Sequence, residues 1–216
     1  IIEPVQGEGG FYQASASFSS ATVASSDIEN IEIRNTLGTF TATGNAMANT
    51  FDARGSTNTM MIGGDGDDTY YVDSSADAIT ESASPMSMHD VVYFSGATGT
   101  YTLSAEIAEL TLTGVGAING TGNALANAIN GNAGNNILDG GANPMALGDT
   151  MTGGLGNDTY IVDDSFDKAY ENFGGGVDTV IVKAANYSID YLFGPMNPTN
   201  IGVMQVDASV GAGVTV

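Results

Sequence analysis

Two segments, Gly63-Gly-Asp65-Gly-Asp67-Asp68-Thr-Tyr70 and Gly153-Gly-Leu-Gly-Asn157-Asp158-Thr-Tyr160, set carboxylates and carboxamides into glycine-rich turns. Glycines at 122, 131, 140 and 153 open successive units of nine residues, the third lengthened by four residues, Asn143 to Ala146. The sixth position of these units holds Asn127, Asn136, Asp149 and Asp158, and Asn49 and Asp68 stand in the same place earlier in the chain. Every donor in the pattern is an oxygen. Carboxylates, with the peptide carbonyls that a glycine turn exposes, suit a hard cation; calcium takes six to eight such ligands, whereas magnesium wants a smaller octahedron and keeps its waters. An EF-hand beginning at Asp65 would need glycine at 70 and glutamate at 76, where Tyr70 and Ala76 stand.

Other chemistries are poorly supplied. Cysteine is absent and His89 is the single histidine, so thiolate metal sites, disulfides and thiol catalysis are excluded. His89 lies beside Asp90 without a nucleophile-and-oxyanion pattern, and an exposed loop position is expected for it. The 25 acidic side chains outnumber the 4 basic ones, for a net charge of -21. That balance opposes nucleic-acid binding and docking on an anionic membrane surface. No apolar run reaches the ~18 residues of a membrane-spanning helix. Acidic pairs recurring along turns, rather than facing one another across a cleft, do not make a glycosidase. No enzymatic activity is expected.

The elements that must position these turns follow from the same period. Each unit joins a six-residue turn to a three-residue strand with one inward apolar residue: Phe51, Tyr70, Ile129, Leu138, Met151 and Tyr160 occupy that place. One such strand cannot bury its face alone, but stacked rungs can, which predicts an all-β parallel solenoid with a continuous inner row. Turns stacked ~4.8 Å apart bring acidic residues of neighbouring rungs together, and a bound cation relieves the repulsion. Asp73, Asp77, Asp163 and Asp167, which follow the tyrosine strands, read as a solvated face.

A longer repeat overlies the short one. Ile28-Glu-Asn-Ile31-Glu-Ile33 returns as Ile107-Ala-Glu-Leu110-Thr-Leu112, and Gly44-Asn-Ala-Met-Ala-Asn49 returns as Gly122-Asn-Ala-Leu-Ala-Asn127. The two tyrosine segments follow, then Asp90-Val-Val against Asp178-Thr-Val and Tyr101-Thr-Leu against Tyr187-Ser-Ile. Ile201-Gly-Val-Met204-Gln-Val206 opens a partial third copy. The expected organisation is a β-like segment over 1–27, a candidate for contact between subunits, then solenoid repeats over 28–104 and 105–190. A partial repeat or assembly segment covers 191–216.

Gly63 to Tyr71 and Gly153 to Ile161 fit G-G-x-G-x-D-x-U-x, and the chain over about 28–190 resembles the RTX (haemolysin-type) calcium-binding repeat family. The resemblance implies a right-handed parallel β-roll with two nonapeptides per turn and calcium between turns on one side. It would set Asn127 against Asp149, Asn136 against Asp158, and Asn49 against Asp68, with carbonyls of Gly131, Gly153 and Gly63 as partners. Asp65, Asp67 and Asn157 complete the candidate ligands. Asparagine stands at three of the six sixth positions, the four-residue insertion interrupts one rung, and residues 53–62 form an irregular one. Two to four ions are therefore expected, not a full ladder. The family implies secretion, with folding on meeting calcium outside the cell.

Solenoid ends present strand edges that template other chains. Phe11 to Ser26 and Ile201 to Val216 both read as β, with no helical cap. The expectation is a secreted, extracellular or cell-surface structural protein that folds on calcium and forms a homo-oligomer, filament or surface layer through its ends. The alternative is a calcium-folded module of a larger secreted enzyme, toxin or adhesin.

Overall fold

The computed structural model describes residues 10–15, 20–22, 28–34, 39–83, 89–143, 147–171, 174–184 and 201–206. Those residues form strands and turns and no helix, so none of them makes a helix long and apolar enough to cross a membrane. The strands fall into two units. The first holds β1 (Gly10–Ser15), β2 (Ser20–Thr22), β3 (Ile28–Arg34), β4 (Phe40–Thr43), β5 (Thr50–Asp52), β6 (Thr59–Ile62), β7 (Thr69–Val72), β8 (Ala78–Thr80) and β9 (Val91–Phe94). The second holds β10 (Gly99–Thr102), β11 (Glu109–Leu112), β12 (Ile118–Thr121), β13 (Ala128–Asn130), β14 (Ile137–Asp139), β15 (Thr150–Thr152), β16 (Thr159–Val162), β17 (Lys168–Tyr170), β18 (Asp178–Val182) and β19 (Ile201–Val206).

Successive strands alternate between two sheets. In the first unit β1, β3, β5, β7 and β9 pair in that order, and so do β2, β4, β6 and β8. In the second unit β11, β13, β15 and β17 form one sheet, and β10, β12, β14, β16, β18 and β19 the other. Pairing is parallel throughout, so each unit is a β-solenoid in which a coil contributes one strand to each sheet. This is the expected β-roll architecture. β1 and β2 extend the same two sheets as β3 and β4, and β19 adds to β18.

The alternation of burial along each strand follows from the period-2 pleat. Phe51 stacks inward on Tyr70, ring centroids 5.1 Å apart. Ile129 sits opposite Met151, and Leu138 opposite Tyr160, all fully buried. Gly120 on β12 also faces inward, where a Cβ would press on Leu110 and Ile129 side chains. The four-residue insertion falls between β14 and β15 and leaves the register intact: Met151 still pairs with Ile129 before it and Ala169 after it. The irregular rung 53–62 likewise yields a strand, β6, with Met61 inside. The long repeats nevertheless differ by one rung. A single strand, β6, lies between the Asn49 turn's strand β5 and the tyrosine strand β7, whereas β14 and β15 lie between β13 and β16.

The core is narrow, with only one to three inward side chains from each strand, so each one matters. Leu138→Ala removes a fully buried residue between Gly120, which fills nothing, and Tyr160. A loss of ~2–5 kcal/mol is expected from the lost transfer free energy and the cavity left behind. Denaturant unfolding would measure it, and a loss below about 1 kcal/mol would show that the row collapses around the gap.

Candidate metal centres

The turns are built on a side-chain ladder. The N–H of each sixth-position residue points toward the next coil, and a carboxylate there accepts it. Asp68 Oδ1 accepts from Asn49 N–H at 2.6 Å, and Asp90 Oδ1 from Asp68 N–H at 2.7 Å. In the second unit Asp149 accepts from Asn127 and Asp158 from Asn136, each at 2.7 Å. Asp167 then accepts from Asp149 and Asp178 from Asp158, each at 2.8 Å. Asp77 serves Thr59 N–H at 2.9 Å. These backbone donors are buried and would be costly to leave unpaired.

One carboxylate oxygen is thereby engaged and the other left over. Oδ2 of Asp68, Asp77, Asp149, Asp158 and Asp178 is buried with no hydrogen-bond partner. The asparagines behave differently. Oδ1 of Asn49, Asn127 and Asn136 accepts the N–H of Asn45, Asn123 and Asn132 and closes its own turn, at 2.7 to 2.9 Å. Asn136 Nδ2 also donates to Ile118 O. A carboxamide carries both donor and acceptor, so its Nδ2 can donate to a neighbouring coil where a carboxylate can only accept. Turn closure itself is open to either, as Asp167 Oδ2 shows by accepting the N–H groups of Asp163 and Asp164.

Two sets of three acidic groups converge. Asp68, Glu81 and Asp90 in the first unit each place a ligand oxygen within 4.8 Å of the other two, and Asp158, Glu171 and Asp178 do the same in the second. Tyr70 Oη donates to Glu81, and Tyr160 Oη to Glu171 and to Tyr170 O. Gly63 and Gly153 border the clusters. A Cβ at either would strike the aspartate Oδ2, the tyrosine Oη and the glutamate Oε1. Backbone geometry adds to the need for glycine in these turns, since Gly154 and Gly156 have φ of +104° and +114°.

The electrostatics match the geometry. Burial pushes Asp68 and Glu81 up to about 7. It pushes Asp158 to about 6 and Glu171 to about 7, and it raises Asp178. Neighbouring carboxylates add to the rise at Asp68, Glu81, Asp158 and Glu171, and backbone or tyrosine hydrogen bonds offset part of it. Burial also raises both phenols, so Tyr70 and Tyr160 stay protonated donors. Three buried carboxylates this close can hold a metal ion, which neutralises them where only protons otherwise would.

No family model, curated protein or solved structure matches the chain.

The candidate ligands therefore separate by position. Asp68 and Asp158 enter the clusters, with Gly63 and Gly153 beside them. Asn49 and Asn136 are their ladder donors. Gly131 packs where a Cβ would meet Gly153 O and Asn136 Oδ1. Asn127 and Asp149 pair as expected but on the other turn ladder, toward Asp167. Burial pushes Asp149 up to about 7, and Asp167, Asp163 and Asp164 reinforce it. Asp65 lies 2.9 Å from Ser82 Oγ, and Asp67 is exposed, 3.8 Å from the exposed His89. Asn157 is exposed and belongs to an outer ladder, between Asn135 and Val177.

Asp77 and Asp167 do not form the solvated face expected of them; both are buried, because they cap the strand-leading N–H groups of Thr59 and Asp149. Glu81, Asp90, Glu171 and Asp178 were not among the candidate ligands. The signal that finds them is recurrence: each tyrosine strand is followed, in both copies, by one glutamate and then by Asp-x-Val.

Proposed function

We propose that the chain is a secreted calcium-binding structural protein whose β-solenoid folds on calcium and self-assembles into an extracellular layer or filament. The observation that carries the reading is the duplicated cluster of three carboxylates with buried, unpartnered oxygens. Calcium is favoured by the all-oxygen donor set and by its tolerance of irregular geometry, since it takes six to eight oxygens at about 2.3–2.6 Å whereas magnesium demands a near-ideal octahedron and keeps several waters. Cation binding is then part of the folding free energy. A chain at -21 is unfavourable to compact and to associate until cations neutralise it. Self-assembly draws support from the solenoid architecture, in which an exposed terminal strand edge accepts a further parallel strand.

Sedimentation velocity in chelator, in millimolar calcium and in millimolar magnesium tests this. The expected result is a slow, expanded monomer in chelator and magnesium, and a very large species only in calcium. A compact calcium-bound monomer would replace assembly with the reading of a module from a larger secreted enzyme, toxin or adhesin. An unchanged sedimentation coefficient in all three would sink the calcium-folding reading.

A further inference from the structure

We infer that the two acidic centres are not equivalent, and that the Asp158–Glu171–Asp178 centre fills at lower calcium than the Asp68–Glu81–Asp90 centre. This rests on the calcium reading above and adds an order of occupancy to it.

The repeat makes the two centres the same in composition, so their surroundings decide. Asp68, Asp158 and Asp178 are at most 1 % exposed, and Oδ2 of each lacks a hydrogen-bond partner. At the second centre Glu171 Oε2 is also buried and unpartnered, so all three acids have an orphaned oxygen. At the first centre only Asp68 contributes one. Glu81 is served at both oxygens: Oε1 accepts from Tyr70 Oη and Oε2 from Gly64 N–H at 3.2 Å. Ser82 Oγ stands 2.8 Å from Gly64 O and 2.9 Å from Asp65 Oδ1, which fixes the turn that presents this N–H.

An N–H pointing at a carboxylate oxygen places positive charge where a cation would sit, and it lowers the cost of leaving that oxygen without metal. A cation entering the first centre therefore competes with an existing donor. One entering the second meets three oxygens that no N–H or hydroxyl serves, and it displaces only the hydrogen bond that Glu171 and Asp178 share between themselves, not a fixed donor. One or two hydrogen bonds to a charged group correspond to a ratio of about tenfold or more between the centres.

Hydrogen exchange of the whole chain, followed by mass spectrometry of its peptides at stepped calcium concentrations, reads the order directly. Peptides from 150–182 are expected to gain protection at a calcium midpoint about tenfold below that of peptides from 59–94. Asp158→Asn should raise the midpoint of the 150–182 peptides, and Asp68→Asn that of the 59–94 peptides. If either variant fails to fold, the wild-type midpoints alone decide. Coincident midpoints, or earlier protection of 59–94, would overturn the order while leaving calcium-driven folding in place. No protection in either region at any calcium level would overturn both.

Discussion

In chelator the chain is expected to be unfolded at about pH 8 and to regain its β-solenoid when acidified to about pH 5. The direction follows from burial. Asp68, Glu81, Asp149 and Glu171 are pushed up to about 7, and Asp77 and Asp158 to about 6. In the unfolded chain the same groups titrate near ~4. Between those values the folded state binds more protons than the unfolded one, so stability falls as pH rises. The contribution is fully present below about 4 and is lost as the pH passes about 7. Six groups titrating together over that window make the change large, even though none of them acts alone. Bound calcium reverses the slope, because protons then compete with the ligand that holds the clusters together. Circular dichroism against pH, in chelator and in millimolar calcium, measures both curves. Equal, flat profiles between about pH 5 and 8 would show that the buried carboxylates are not the groups that govern folding.

Gly153→Ala is expected to remove cation binding at the second centre, with a loss of about 10- to 100-fold or more in calcium affinity there. The φ of Gly153 lies outside the left-handed region, so alanine is sterically acceptable to the backbone itself. What it cannot share is space: the new methyl falls among Asp158 Oδ2, Tyr160 Oη and Glu171 Oε1. Crowding of this kind costs ~1–3 kcal/mol apart from any effect on binding. Gly55→Ala is the matching control. At φ +81° with open space around it, that substitution strains the backbone and leaves the acidic groups untouched. Calorimetric calcium titration of both variants separates the two costs. Calcium affinity that survives in Gly153→Ala would mean that the cation does not sit among these three groups.

Much of the coil was legible because it depends on short-range periodicity. Glycines at 122, 131, 140 and 153 and the inward residues Ile129, Leu138, Met151 and Tyr160 mark rungs whose pairing the structure reproduces. The insertion at Asn143 to Ala146 did not disturb this, since a turn can lengthen without moving the strands on either side. The candidate centre was only half legible. Asp68 and Asp158 belong to the nonapeptide, and Asp178 follows Gly174, Gly175 and Gly176, but Glu81 and Glu171 stand outside that pattern and no glycine stands in residues 82–89 before Asp90. All four meet the first pair only after one further coil has been laid down. The fates of Asn136 and Asp158 illustrate the other obscurity. Both occupy the sixth position, yet the carboxamide closes its own turn while the carboxylate reaches back a coil and keeps an oxygen free.

The side-chain ladder has a sense of direction. At every step the donor belongs to the earlier coil and the acceptor to the later one: Asn49 to Asp68 to Asp90, Asn127 to Asp149 to Asp167, Asn136 to Asp158 to Asp178. In this ladder a coil's buried N–H is served by its successor, whereas the outer asparagine ladder and the sheet hydrogen bonds run the other way, from Asn157 N–H to Asn135 Oδ1 and from Thr159 N–H to Asn136 O. Trimming from the C-terminal side strands a buried sixth-position N–H at each new end, whereas trimming from the N-terminal side strands the sheet and outer-ladder N–H groups instead. The inner ladder alone is vectorial: a chain that reaches a calcium-rich medium C-terminus first would present each of its acceptors before the donor that acceptor serves.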